Sequence, residues 1–334
     1  MKNVRVGLIG LGRFSQLHIQ CLLNISNIKL AAVADVRKEI VDKAKSELGC
    51  HGYTDWKEML EREELDVVHV LTPEGLHTEP VIFSLRAGCH VFVEKPLATN
   101  SNDAKEMMKV AQDYGKQLMV GHVCRFDSRY SLIKEELETG RIGKIRSLYA
   151  RRNNPKKYFS IYRRSNPVFI LGIHDIDLMR WYTDSHVTEV YAQSTPSTTG
   201  DVDLIWAMLT FDNGSVGMIE NNWLVPDRAP SFMDVRMEIV GEDGTVHIQD
   251  PDQTITFWDN EGLSTPPIFS WSNVHGVPVG ALFEELKHFY QCIFTDRHSH
   301  ILNPEDALSA VMIAEAIVQS IKEKKPILIH NSDK

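Results

Sequence analysis

Over the first 120 residues, short apolar runs alternate with stretches whose apolar positions recur at helical spacing. Residues 4–9, 29–34, 66–71, 90–93 and 117–120 read as strands, and 14–23, 38–48, 78–87 and 101–114 as helices. Asn100 and Ser101 offer N-caps to the last helix, and Gly115 stands where a C-cap belongs. Strand and helix in strict alternation predict a doubly wound parallel sheet, an α/β fold.

The pattern changes after about residue 122. A helix over 128–137 ends near Gly140, and strand-like segments follow at 144–151, 188–194, 205–211, 215–223, 233–240, 245–249 and 254–258. Asp212-Asn213-Gly214 and Glu242-Asp243-Gly244 have hairpin-turn chemistry, so the second sheet is expected to be largely antiparallel and open. Helices are expected near 173–182, 281–293 and 304–322. Pro155 and the 226–230 stretch mark loops. The resulting division is a Rossmann domain over 1–121 and an α+β domain for substrate binding and oligomerisation over 122–334.

Composition narrows the class. Hydrophobic residues make up 43% and charged residues 24%, which suits a globular chain with a sizeable core. A net charge of −9 argues against a nucleic-acid partner. The five cysteines include no CxxC pair, so buried reduced thiols in a cytoplasmic protein are expected, and neither disulfides nor a metal site. The first apolar run is interrupted by Arg5 and leads into a glycine turn, so it reads as a strand and not a signal peptide. No run approaches the roughly 18 apolar residues of a membrane span.

The candidate chemistry begins at that turn. Gly10-Leu11-Gly12-Arg13-Phe14-Ser15 follows the first strand and opens the first helix. Gly10 permits the tight bend, Gly12 lets a pyrophosphate approach the backbone, and the helix N-terminus attracts its charge. Ser15 is small enough to keep helix and strand close. Asp35, twenty residues past Ser15, ends the second strand, where a carboxylate binds the adenosine ribose and repels a 2′-phosphate. These residues call for NAD. Arg37 nearby leaves NADP open.

Further candidates sit at later strand ends. Thr72 and Pro73 are placed to touch the cofactor, and His77 either stands behind them or caps the following helix. Glu94-Lys95-Pro96 follows the fourth expected strand. A lysine of lowered pKa there binds a substrate hydroxyl and helps move its proton; the alternative is a surface lysine before a turn. If 173–182 is helical, His174 and Asp177 share a face and Trp181 anchors that face in the core. A histidine there takes the hydroxyl proton; the alternatives are a helix start or a buried structural histidine.

With GLGRFS at 10–15, Asp35, TPEGLH at 72–77, EKPLA at 94–98, GHVCRF at 121–126 and GIHDID at 172–177, the chain resembles the glucose–fructose oxidoreductase/inositol dehydrogenase/rhizopine catabolism (Gfo/Idh/MocA) family over essentially its whole length. The resemblance implies an NAD(P)-dependent dehydrogenase of sugars or polyols, with catalytic roles falling on Lys95 and His174 and cofactor contacts extending to His122. It also implies a homodimer or homotetramer packed through the C-terminal sheet. Many members carry an aspartate four residues before the histidine; here Ile170 stands there, and Asp177, Arg125, Tyr158 or Tyr162 is left to compensate.

The stretch 151–164 holds six basic residues and no acid. With HDIDLMRW it is most similar to a nucleotide-sugar branch, such as UDP-N-acetylglucosamine 3-dehydrogenases. Arg163 then contacts an anionic substrate; the alternative is a solvated loop or an interface. Two rivals to a sugar dehydrogenase stay open: a non-catalytic NAD(P)-binding regulator, and an enzyme of this fold reducing a C=N or C=C bond.

Overall fold

The computed structural model describes residues 3–231, 233–250, 255–259, 262–265 and 270–329. Strands buried on both faces have no polar side to give to water, so the first apolar runs pair with one another. They are β1 (Val4–Ile9), β2 (Ile28–Ala34), β3 (His51–Tyr53), β4 (Val67–Val70), β5 (His90–Glu94) and β6 (Leu118–Gly121), with helices α1 (Ser15–Leu22), α2 (Lys38–Leu48), α3 (Trp56–Arg62), α4 (Thr78–Arg86) and α5 (Ser101–Asp113) between them. All pair in parallel, in the order β3-β2-β1-β4-β5-β6. The order reverses between β1 and β4, and such a switch point is where open α/β sheets bind ligands.

Two elements of this half were not anticipated, β3 and α3. One is a three-residue strand and the other a seven-residue helix, too short for periodicity to resolve.

The next elements are α6 (Ser128–Glu138), β7 (Ile145–Pro155), α7 (Phe159–Tyr162), α8 (Ile173–Thr183), β8 (Val187–Pro196), β9 (Val202–Phe211), β10 (Val216–Val225), β11 (Asp234–Gly241) and β12 (Thr245–Asp250). After them come the short hairpins β13 (Phe257–Asp259) with β14 (Gly262–Ser264) and β15 (Ser272–Val274) with β16 (Val277–Val279), then α9 (Ala281–Thr295), α10 (Pro304–Glu323) and β17 (Ile327–Leu328). The second sheet runs β12-β11-β7-β10-β9-β8-β17. Within it β7 and β10 are parallel and the other pairs antiparallel. This is the α/β plus α+β class expected, with a mostly antiparallel second sheet. The strand expected at 254–258 lies partly outside the described residues, since Thr254 is among those not described.

Along β9 and β10 side chains alternate. Ile205, Ala207, Leu209 and Ile219 are buried, while Trp206, Met208, Val216 and Met218 on the opposite face are each about 40% exposed. The buried face receives α8: a Cβ added at Gly217 would lie 2.9 Å from Met179 Sδ. Apart from its half-buried His174, Arg180, Trp181 and Thr183, α8 is buried throughout. Trp181, expected to anchor a core face, is half-buried, and the Lys134 ammonium lies 5.9 Å over its ring.

The chain forms two compact units, Met1–Phe126 with Phe269–Leu308, and Asp127–Ile268 with Ser309–Lys334. The first unit therefore takes in a segment that the division at 121/122 leaves with the second. The reason is packing: Leu282, Leu286, Phe289 and Tyr290 of α9 share one core with Val6, Leu8 and Phe92. All five cysteines are buried. Among the described residues no helix is long and apolar enough to cross a membrane.

Candidate active site

Within the first unit, the expected cofactor residues follow the carboxyl ends of neighbouring strands: Gly10 to Phe14 after β1, Asp35 after β2, Thr72 and Pro73 after β4, Glu94 and Lys95 at the end of β5, and His122 after β6. Such an edge collects loops from distant stretches of sequence into one rim.

The two turn glycines are needed for different reasons. Gly10 has φ +96°, and a Cβ there would stand 2.8 Å from the Leu71 carbonyl group, so the protein itself demands glycine. A Cβ at Gly12 would meet no protein atom within 4 Å. The fold gives no reason for glycine at that position, whereas a pyrophosphate brought against the backbone does. Behind it α1 begins with no side-chain cap and no acid in its first turn. Ser15 Oγ donates to the Gly12 carbonyl at 2.6 Å and is 1% exposed. An uncapped helix start behind a bare backbone turn fits a dinucleotide phosphate. Arg13 is exposed beside it and Phe14 half-buried.

Asp35 closes the turn from the other side. Its carboxylate accepts the Leu11 N–H at 2.8 Å and the Arg37 N–H at 3.0 Å. The Arg37 guanidinium adds a two-pronged pair, at 2.8 and 2.9 Å. Burial pushes this carboxyl up, but the hydrogen bonds from Arg37 and Leu11 outweigh it and hold the pKa below the usual value. Asp35 thus stays ionised. Arg37, which left NADP open, is spent on Asp35 and not presented alone to a 2′-phosphate.

Thr72 is half-buried, and its hydroxyl donates to the Leu76 carbonyl at 3.1 Å, while Pro73 is exposed. His77 is 1% exposed, and its ring nitrogens face the Pro96 carbonyl at 2.8 Å and the Thr72 carbonyl at 3.0 Å. It makes no helix-cap bond, and with both nitrogens against backbone it does not reach out to a cofactor. Its place is behind the site, linking the segments after β4 and β5. Burial pushes its pKa down, and the two carbonyls and Glu94 oppose that shift. Lys95 is half-buried, and His122 is 3% exposed.

Arg125 departs from its expected role at the substrate. Its side chain is 2% exposed, and its guanidinium donates to the Ile301 carbonyl at 2.7 Å and to Asp306 at 3.0 Å. A buried guanidinium must be paired, and this one ties the turn after β6 to the first turn of α10 and the segment just before it.

In the second unit, His174 is the second residue of α8 and is half-buried; Asp177, one turn on, is 2% exposed. Residues Val168–Gly172, including Ile170, form a π-turn that runs directly into α8. Such turns concentrate at functional sites. Sequence reading missed Asp175. It is 1% exposed and accepts from Arg152 Nη2 at 2.9 Å and Nε at 3.2 Å. Burial pushes its pKa up, and the Arg152 guanidinium opposes this.

That pairing changes the reading of the basic stretch. Residues 151–155 belong to β7, where Arg151 pairs with Asp234 at 2.9 Å and Arg152 with Asp175. The remaining basic side chains, Lys156, Lys157, Arg163 and Arg164, are exposed around the short helix α7. Tyr158 is half-buried there under the Lys157 ammonium, 5.3 Å from its ring centre.

Comparison with known proteins agrees with this arrangement. Residues 4–122 match a family model described as GFO_IDH_MocA, an oxidoreductase family with an NAD-binding Rossmann fold, and residues 130–247 match the GFO/IDH/MocA C-terminal domain. The chain is 30% identical to myo-inositol 2-dehydrogenase of Thermotoga maritima, with 97% of this chain and 98% of that protein covered. It is 27% identical to scyllo-inositol 2-dehydrogenase (NAD(+)) of Bacillus subtilis, with 97% and 96% covered. Among solved structures, myo-inositol 2-dehydrogenase from Lactobacillus plantarum superposes with a TM-score of 0.86 at 26% identity, covering 98% of this chain and 100% of that one.

Proposed function

The chain belongs to the Gfo/Idh/MocA family of oxidoreductases, and from that premise we propose that it oxidises a secondary hydroxyl of a polyol or sugar, with Lys95 and His174 handling the hydroxyl proton. The observation that carries the proposal is the rim of the first sheet. There the glycine turn, Asp35 and the Glu94-Lys95 segment follow strand ends of one sheet.

Gly10, Gly12 and the start of α1 receive the pyrophosphate of NAD, and Asp35 receives the adenosine ribose. The nicotinamide, when bound, supplies the hydride acceptor. The chain's own residues handle the rest. The Lys95 amine hydrogen-bonds the hydroxyl to be oxidised, and the His174 imidazole takes its proton as the C–O bond gains double-bond character. With Ile170 in place of a carboxylate, no acid four residues before His174 tunes the imidazole. Asp177, on the same helix, and Tyr158 remain the candidate substrate contacts. Arg125, held in its own ion pair, is not among them.

The test is NADH formation over a panel of free inositols, sugars and UDP-sugars, each run with NAD and with NADP. Turnover is expected on a polyol or sugar, with NAD strongly preferred because Asp35 is ionised and holds Arg37. Tight NAD binding with no turnover on any member would favour a non-catalytic regulator. A second reading, an anionic sugar, is favoured by the exposed Lys156, Lys157 and Arg163. It requires turnover confined to the UDP-sugars, lost when Arg163 and Lys157 are replaced by glutamine.

The open face of the second sheet is proposed to pack against a second copy of the chain. Trp206, Met208, Val216 and Met218 form an apolar centre there. Glu220 beside them is held by Tyr149 at 2.7 Å and Asn153 at 2.9 Å, so the border is polar and pre-ordered. Met208→Lys with Met218→Lys is expected to shift the mass seen by light scattering to that of a single chain. A wild-type protein that is already monomeric at micromolar concentration overturns this assignment.

A further inference from the structure

Glu94 ends β5, immediately before Lys95, yet its carboxylate does not turn to solvent. It is 14% exposed, and Oε1 lies 3.1 Å from Nε2 of His18, a histidine on α1 with 0% side-chain exposure. The other oxygen, Oε2, accepts the N–H of Lys95 at 3.3 Å. Aromatic rings surround His18: Phe14 at 5.3 Å, Phe92 at 5.6 Å and His69 at 5.6 Å between ring centres.

An apolar side chain would fill that space without desolvating an imidazole and a carboxylate, so packing alone does not account for the pair. A third residue keeps room for it. Gly121 on β6 stands opposite Glu94, and a Cβ there would sit 2.9 Å from Glu94 Oε1. On the far side of Lys95, the Pro96 carbonyl is held by His77 Nδ1 at 2.8 Å. The Glu94–Lys95 peptide group before Lys95 and the Pro96 carbonyl beyond it thus each lie against a buried histidine, one acting through a carboxylate and one directly.

Building on the role given to Lys95 above, we infer that His18, acting through Glu94, is a positioning residue for Lys95. His77 anchors the other flank of the same residue. His18 touches neither substrate nor hydroxyl proton. It fixes the backbone from which the Lys95 side chain springs, and errors near an ångström at a reacting group cost heavily in rate.

The experiment compares His18→Leu, His18→Gln and Gly121→Ala with Lys95→Ala. His18→Leu removes the partner of Glu94, and Gly121→Ala crowds the carboxylate, with the Phe92 ring 3.2 Å away as the next contact, while leaving the His18 side chain itself unaltered. Each is expected to lower kcat by about ten- to a hundredfold, with the KM for NAD changed by less than about threefold. The double variant is expected to be no worse than the poorer single one, because both act on one lever. His18→Gln, which keeps a donor near Nε2, recovers most of the loss. Hydrogen exchange on the protein without cofactor gives a second readout: the peptide carrying the Lys95 amide exchanges faster in His18→Leu and Gly121→Ala, and that carrying β1 does not.

If Lys95→Ala abolishes turnover while a folded His18→Leu keeps wild-type kcat and exchange, the positioning role is wrong and Lys95 keeps its own. If Lys95→Ala retains turnover, the reading beneath the inference fails, and the exchange result still decides whether His18 orders the segment. Should His18→Leu not fold, Gly121→Ala carries the same test.

Discussion

Lys95→Ala is expected to lose about a hundred- to ten-thousandfold in kcat while still binding NAD, the range general acid–base groups contribute. The dinucleotide is proposed to rest on Gly10, Gly12, the start of α1 and Asp35, which follow β1 and β2, whereas Lys95 follows β5. Deleting the amine therefore leaves that cradle in place, and the KM for NAD is expected to move severalfold at most. Lys95→Arg separates two meanings of the loss. A guanidinium keeps the charge and the donors but stays protonated at any working pH. If Lys95 only attracts the substrate, arginine rescues; if a compact amine must hold the hydroxyl while His174 takes its proton, arginine is nearly as poor as alanine. The second outcome is expected, read as initial rates of NADH formation on the best substrate of the panel. Turnover by Lys95→Ala within about twofold of wild type would remove Lys95 from the mechanism.

How much of this was legible in the sequence depended on the range of the interaction. The glycine turn, Asp35 and the helix over Lys38–Leu48 are set by residues within a few positions of one another, and the structure places them as read. The rim of the first sheet was legible because it follows from strand ends alone. What escaped was set at long range. Arg125 looked available for a substrate because its partner, Asp306, lies 181 residues on. The segment 269–308 read as part of the second domain because nothing local says that α9 completes the core of the first unit. Arg151 and Arg152 looked like the start of a basic loop because their carboxylate partners are brought to β7 by other strands and by α8. The π-turn at Val168–Gly172 carries no side-chain signature at all, although it sets where α8 begins.

Asp175 shows the same difficulty inside one motif. In His174-Asp175-Ile176-Asp177 the sequence gives no sign that the neighbours do different work. The structure leaves His174 half-buried and encloses Asp175 against Arg152.

A buried ion pair is a poor source of net stability, since desolving both charges offsets their attraction, but removing one partner leaves an uncompensated charge and costs about 3–5 kcal/mol. Asp175→Ala is therefore expected to lower the melting temperature by roughly 10 °C or more, given a few degrees per kcal/mol for a unit of this size. His174→Ala, at a half-buried position, is expected to melt within a few degrees of wild type and to lose turnover nonetheless. The pair itself is replaceable: Asp175→Leu combined with Arg152→Met removes both charges together and is expected to recover most of the lost stability. Thermal melts followed by circular dichroism, with NADH formation measured on the same samples, separate the two neighbours. If Asp175→Ala melts like wild type and only activity falls, the Arg152 pair is not what holds α8 on the sheet, and Asp175 belongs with His174 in the chemistry.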